Sequence, residues 1–353
     1  MRPTANRQRA TGLIRWARRL VLLSVAGVFT IADPVKTQRV TGSSDLVVSL
    51  PPANRPEGIA LSRDGQLFVG NRVVGGATVI NEILRVEPDG SMAVFATLPA
   101  SDAGAEGLLG LTIDPAGHVF AALASFDEHH GVWRIGPDGT PAERLRGSEH
   151  IGFPNGLTFD ANGHLYVTDS FRGAIWRAAR GEPFELWAER PLLTPLPSDP
   201  LGVPLPGANG IAWFAPDVLY VANTERGLIA RVRIAPDGTA GPAEAVTAPF
   251  AVPTVDGIAM DVRGRIHAVL PGFTLLQASP LVRVDPDTGE AMPLVVSPVD
   301  ASRFDTPVSI AFGAGTWGLR NVFVTNSDLP IVPGGPGPGV VRIDVGTAGF
   351  PIW

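Results

Sequence analysis

The chain contains no cysteine. Disulfides, a thiol nucleophile and thiolate metal sites are thereby excluded, while the redox compartment stays open. Charge is sparse, at 18% of residues, and no basic tract occurs beyond the N-terminus; with a formal net charge of -6, this argues against a nucleic-acid surface. Tyrosine and tryptophan number only 2 and 7, which weighs against a broad aromatic surface for peptides or glycans. The apolar run from Leu20 to Ala32 is too short to span a bilayer comfortably. What is plentiful is glycine (41) and proline (34) in a chain that is 45% hydrophobic, the composition of many short strands joined by turns.

The N-terminus stands apart. Residues 1–32 hold six arginines and no acid, and their apolar stretch has the length of a signal-peptide h-region. The expectation is an export signal cut after Ala32, with Arg18-Arg19 hinting at a twin-arginine route, then a linker over 33–44 and one domain over 45–353. Loss of the six arginines takes the formal charge from -6 to -12. The product is expected to be periplasmic or secreted, with no membrane contact after signal removal.

The rest of the chain repeats itself. Aligned on a glycine, "PEGIALSRDGQLFVGN" from Pro56 matches "LLGLTIDPAGHVFAAL" from Leu108, "PNGLTFDANGHLYVTD" from Pro154, "ANGIAWFAPDVLYVAN" from Ala208 and "VDGIAMDVRGRIHAVL" from Val255. A looser sixth copy starts at Pro307, its turn lengthened by a small insertion. Gly58, Gly110, Gly156, Gly210, Gly257 and Ser309 recur every 46 to 54 residues, close to the blade length of known propeller repeats. Each copy reads as four short strands, A to D, with Pro-Asp-Gly turns such as 88–90 and 236–238 after strand C. The expected fold is all-β: a six-bladed β-propeller of four antiparallel strands per blade, with "DLVVSL" (45–50) completing the last blade.

In a propeller the A strands line the central channel, so the residue leading into each strand A faces the channel mouth. Those residues are Glu57, Leu109, Asn155, Asn209, Asp256 and Val308. Two carboxylates and two carboxamides converge there without His or Cys, which is the chemistry of a hard-oxygen site for a divalent cation. Calcium suits Glu57, Asn155, Asn209 and Asp256 best, because its six to eight ligands at about 2.3–2.6 Å leave room for water and substrate. Magnesium, which demands tighter octahedral geometry, or another divalent cation is the second choice.

With these motifs in place, residues 45–353 resemble the regucalcin/gluconolactonase superfamily of six-bladed propellers, whose relatives include diisopropyl fluorophosphatase and the paraoxonases. The "PEG", "NG" and "DG" motifs carry the resemblance. It implies a catalytic calcium on Glu57, Asn155, Asn209 and Asp256, and metal-assisted hydrolysis of a small-molecule lactone or related ester. Asp256 and Glu57 would be the catalytic carboxylates, Asp256 as the base for water or as a nucleophile. Some relatives place a histidine where this chain has Leu109, so a paraoxonase-like dyad is not expected.

Several mouth-side loops are candidates for the substrate pocket: His129 and His130 in "SFDEHHG", Phe171 and Arg172 in "TDSFRGA", Phe273 in "LPGFTLLQ", and Leu109 itself. Glu225 and Arg226 lie on a further such loop, and a proline-rich segment leads into Asn209. His118 and His164 fall on the opposite face, in structural positions. Asp169, Asn223 and Asn326 end the B strands and read as groups that cap neighbouring backbone. Two other functions stay open: a non-catalytic binding propeller, and a metal-free enzyme like strictosidine synthase that uses one buried Glu.

Overall fold

The computed structural model of the chain describes residues 43–140, 142–196, 206–272, 279–329 and 335–351. The export segment expected over 1–32, most of the 33–44 linker, and Phe273 lie outside the described residues. The chain is a six-bladed β-propeller, built of six four-stranded antiparallel sheets. The innermost strands are β2 (Asn54–Leu61), β6 (Gly107–Ile113), β10 (Pro154–Phe159), β14 (Ala208–Phe214), β18 (Ile258–Met260) and β22 (Pro307–Phe312). Each packs against the next, and β22 packs against β2, which closes the ring. The first strand, β1 (Ser44–Ser49), pairs with β24 (Gly339–Asp344) from Ser44↔Ile343 to Ser49↔Gly339. One blade is thus zipped from both ends of the chain, leaving no unmatched sheet edge at the seam.

Burial explains the strand composition. The second strands of the blades, such as β7 (Val119–Ala124) and β15 (Val218–Asn223), are buried throughout, because neighbouring blades cover both faces of each sheet. Outermost β17 (Ala240–Ala245) has no buried residue and is correspondingly less apolar. Interleaved apolar side chains fill the gaps between blades: Ala212, Tyr220 and Ile229 of one blade pack with Ile258, Met260 and Ile266 of the next. Full burial of each larger side chain stabilises by about 1.5–3 kcal/mol.

The glycine phase has a steric cause. In five blades the pairing of strands A and B is interrupted just where the chain enters the channel wall, for example between Pro154 and Leu157 and between Ala208 and Ile211. These bulges re-aim the mouth residue. They also press successive blades together: a Cβ on Gly110 would run into the Asn155 carbonyl, and one on Gly156 would lie 2.6 Å from the Asn209 carbonyl oxygen. Only glycine lets the inner strands approach this closely.

The far face is organised by another repeated turn. The Asp114, Asp160 and Asp261 carboxylates each accept backbone N–H bonds from residues two and four positions on. His118 and His164 pair with the first two of these carboxylates at 2.9 Å, in structural roles away from the mouth. The C-terminal segment stops the channel there: Phe350 N–H donates to the Met260 carbonyl at 2.8 Å, and its ring packs on Trp213 and Phe214.

Candidate functional site at the channel mouth

The six mouth residues share one phase of the ring, and the residue two positions beyond each is aliphatic. Ile59, Leu111, Leu157, Ile211, Ile258 and Ile310 all line one cavity of about 290 Å³ within the channel. The polar mouth therefore rests on an apolar floor, and any charge above it is poorly solvated.

Two of the oxygen residues are held by the same relay. Asn155 Nδ2 donates to Ser170 Oγ at 3.1 Å, and Ser170 donates to the Ala208 carbonyl at 2.6 Å. Asn209 Nδ2 donates to Thr224 Oγ1 at 2.9 Å, and Thr224 donates to the Val255 carbonyl at 2.7 Å. Each hydroxyl thus ties one mouth residue to the backbone just before the next. Committing an Nδ2 hydrogen in this way fixes the amide flip and leaves Oδ1 as the acceptor.

In the first blade the same offset holds an arginine. Arg72 lies 15 residues after Glu57, as Ser170 lies 15 after Asn155 and Thr224 15 after Asn209. Its Nη2 meets Glu57 Oε2 at 2.7 Å, while Nη1 meets Glu106 Oε2 at 2.9 Å and the Glu106 carbonyl at 2.7 Å. Neither Arg72 nor Glu106 stood out in the sequence. The signal was there, however: in four blades the second strand carries an Asn or Asp at the same repeat position (Asn71, Asp169, Asn223 and Asn326), and the residue after it is Arg72, Ser170, Thr224 and Ser327.

Electrostatics single out Asp256. Burial first, and then the Glu57 charge, hold its carboxyl well above the usual carboxylate range, against a hydrogen bond from Asn209 and the attraction of Arg72. Burial likewise raises Glu57, aided by Glu106 and opposed mainly by Arg72. Thr254, two residues before Asp256, has a left-handed φ of 59° and a buried hydroxyl with no partner among the described residues. A β-branched residue in that region is strained.

This donor set fits a divalent cation. Glu57, Glu106 and Asp256 against Arg72 leave two net negative charges, and the amide oxygens of Asn155 and Asn209 add neutral hard donors. No cluster of three or more His, Cys, Asp or Glu suited to a metal occurs among the described residues; the ligand set itself has two carboxylates, Glu57 and Asp256, with Glu106 held off by Arg72, and it relies on amides. Leu109 and Val308, the two apolar mouth residues, are buried.

The other candidates divide. His130 is buried and uses both ring nitrogens: Nε2–H donates to the Ile151 carbonyl at 2.7 Å, and Nδ1 accepts from Phe126 N–H at 3.1 Å. Burial lowers its pKa, consistent with that neutral tautomer. His129 is partly exposed, with its imidazole 3.7 Å from Glu128. Arg172 is exposed and pairs with Glu189 at 2.7 Å, whereas Phe171 packs inward against Phe153 and Phe126. Asp169 accepts N–H bonds from Gly152, Phe153 and Arg172, Asn223 bonds the Leu192 and Thr194 carbonyls, and Asn326 bonds the Arg303 carbonyl. All three tie loops together. A separate groove of about 990 Å³ opens between the second and third blades on the far face, away from this chemistry.

No protein-family model and no curated protein matches the chain. Solved structures do. A gluconolactonase from Xanthomonas campestris superposes with a TM-score of 0.60 at 18% identity, over 87% of this chain and 91% of that one. A calcium-binding protein, regucalcin from Agrobacterium tumefaciens, gives 0.59 at 16% identity, over 88% and 95%. A virginiamycin B lyase from Staphylococcus aureus gives 0.50 at 15%, over 86% and 99%. At such identities the likeness establishes the propeller fold. These namesakes perform different chemistry, so function has to be argued from the site.

Proposed function

We propose that the protein is a divalent-cation-dependent hydrolase of lactones or related esters, with calcium as the cation. The observation that carries this reading is the half-buried, mutually repelling pair Asp256 and Glu57 beside the amides of Asn155 and Asn209. Two such carboxylates above an apolar floor need more positive charge than Arg72 supplies. Glu57, Asn155, Asn209 and Asp256 would hold the ion. When bound, it supplies a Lewis acid for the scissile carbonyl.

The chain's own groups do the rest. With its charge balanced by the cation, an ionised Asp256 carboxylate oxygen would take a proton from the attacking water as the water oxygen adds to the acyl carbon; the acyl C–O bond then breaks and the Asp256 carboxyl returns that proton to the departing alkoxide. Ser170 and Thr224 keep the two amides oriented, and the aliphatic floor excludes competing water. Lactone or ester turnover by the purified protein, abolished by chelator and restored by calcium, is the expected result. Undiminished turnover in chelator would refute the metal dependence. The same reading has the chain exported through residues 1–32, which N-terminal sequencing of the mature product tests.

A further inference from the structure

Leu109 belongs to two structures at once. It is one of the six mouth residues, and it is part of an apolar cluster containing Ile151 and Phe153, against which Phe126, Phe171 and Leu329 pack half-buried. Phe126 and Phe171 stack almost parallel, at 8° and 5.8 Å between ring centres, and Phe153 lies 4.6 Å from Phe171. One sector of the mouth is therefore an aromatic wall that begins beside Asn155 and rises into the loops.

The wall is built at a cost in strain. Phe126 has a left-handed φ of 58°, unusual for a bulky residue. Its loop is over-determined: Asp127 Oδ1 accepts from Ser125 Oγ at 2.6 Å and His129 N–H at 2.8 Å, and His130 accepts the Phe126 N–H while stacking on its ring at 5.3 Å. Asp169 fixes the other two rings through Phe153 N–H and Arg172 N–H, both at 3.1 Å. Strain held this firmly beside a polar centre points to a use for the displayed ring.

The polar groups around the wall are already engaged. Both His130 nitrogens, the Asp169 carboxylate, Asn155 Nδ2 and the Arg172 guanidinium have protein partners. A polyhydroxylated substrate would bury hydroxyls there without partners, which is penalised strongly. We propose that Phe126, Phe171 and Leu109 form a specificity wall for an aromatic or long aliphatic substituent on the substrate. This rests on the hydrolytic reading of the site and names its substrate class: apolar-substituted lactones or esters, rather than sugar lactones.

Two measurements on the calcium-supplemented full chain separate the wall from the chemistry. The first is calorimetric binding of a phenyl-substituted δ-lactam, which resists hydrolysis, and of its unsubstituted parent. The wild type is expected to bind the phenyl compound at least about tenfold more tightly. The preference should shrink towards unity in Phe171→Ala and be partly kept in Phe171→Leu, with melting curves confirming that both fold. No phenyl preference in the wild type, or an undiminished one in Phe171→Ala, overturns the proposal. The second is kcat/KM along a series of alkyl-substituted lactones, expected to rise about fourfold per methylene until the wall is covered. Equal kcat/KM for these and for a sugar lactone overturns the wall while leaving hydrolysis standing. A phenyl-lactam preference without any turnover supports the wall and condemns the hydrolytic reading.

Discussion

Arg72 spans two acids in the rim of the channel, with Nη2 2.7 Å from Glu57 and Nη1 2.9 Å from Glu106. The guanidinium is almost completely buried, so its charge is not replaced by solvent when it is lost. It also neutralises part of the negative centre that a cation would otherwise hold alone.

Arg72→Met should lower the stability of the metal-free protein by about 3 kcal/mol, the scale for breaking a buried pair. Calcium should then raise the melting temperature more in the variant than in the wild type, because the ion takes over the missing charge. Scanning calorimetry with chelator and then with calcium measures both. A calcium shift no larger than that of the wild type contradicts the shared-charge explanation.

The hydroxyl relays give a graded test of ligand geometry. Ser170→Ala and Thr224→Ala should each weaken calcium about 10-fold to 100-fold by releasing an asparagine they orient. Asn155→Ala and Asn209→Ala should weaken it at least as much. Leu109→Ala, in the same ring but without an oxygen, should leave it unchanged. Calcium titrations that fail to separate Leu109→Ala from the asparagine variants would show that the mouth residues do not act as a ligand set.

Asp256→Asn preserves shape and an oxygen while removing the proton acceptor, so turnover should fall about 10²-fold or more. Glu57→Gln should act mainly through the metal, and extra calcium should partly restore its rate. Steady-state kinetics over a calcium range distinguishes the two behaviours. Full turnover in Asp256→Asn removes it from the chemistry.

Much of this arrangement was legible in the sequence because one steric requirement repeats. The glycine that lets neighbouring inner strands touch marks strand A in five copies and sets the phase of the mouth residues. Contacts between blades were harder to read. Arg72 meets Glu106 34 residues away, across a blade boundary, and a lone arginine within a strand gives no hint of such a partner. His130 lies on a loop that looks polar, but only the fold shows both its nitrogens consumed in shaping Phe126. The aromatic wall gathers residues from separate loops, so no local pattern announces it.

On the far face, Asp261 makes a pH prediction. Burial pushes its carboxyl up, but hydrogen bonds from His267, from Arg263 and Arg265 N–H, and from the Arg265 side chain outweigh this and hold it at about 2. Because the folded pKa lies below the unfolded value of about 3.9, the charge contributes stability above about pH 4, and that stability is lost as the pH falls towards 2. The contribution is at most about 2.6 kcal/mol. Asp261→Asn should melt well below the wild type at pH 7, and the gap should close between about pH 4 and 2. A gap that stays constant across this range would assign the effect to packing.

The central claim, that four oxygen residues at the channel mouth hold one cation, is tested most directly by a crystal structure grown with calcium and read by anomalous scattering. One ion is expected on the propeller axis, with oxygens of Glu57, Asn155, Asn209 and Asp256 at about 2.3–2.6 Å. An ion bound elsewhere, or Asn155 and Asn209 more than about 4 Å from any ion at the mouth, well beyond ligand distance, would contradict it.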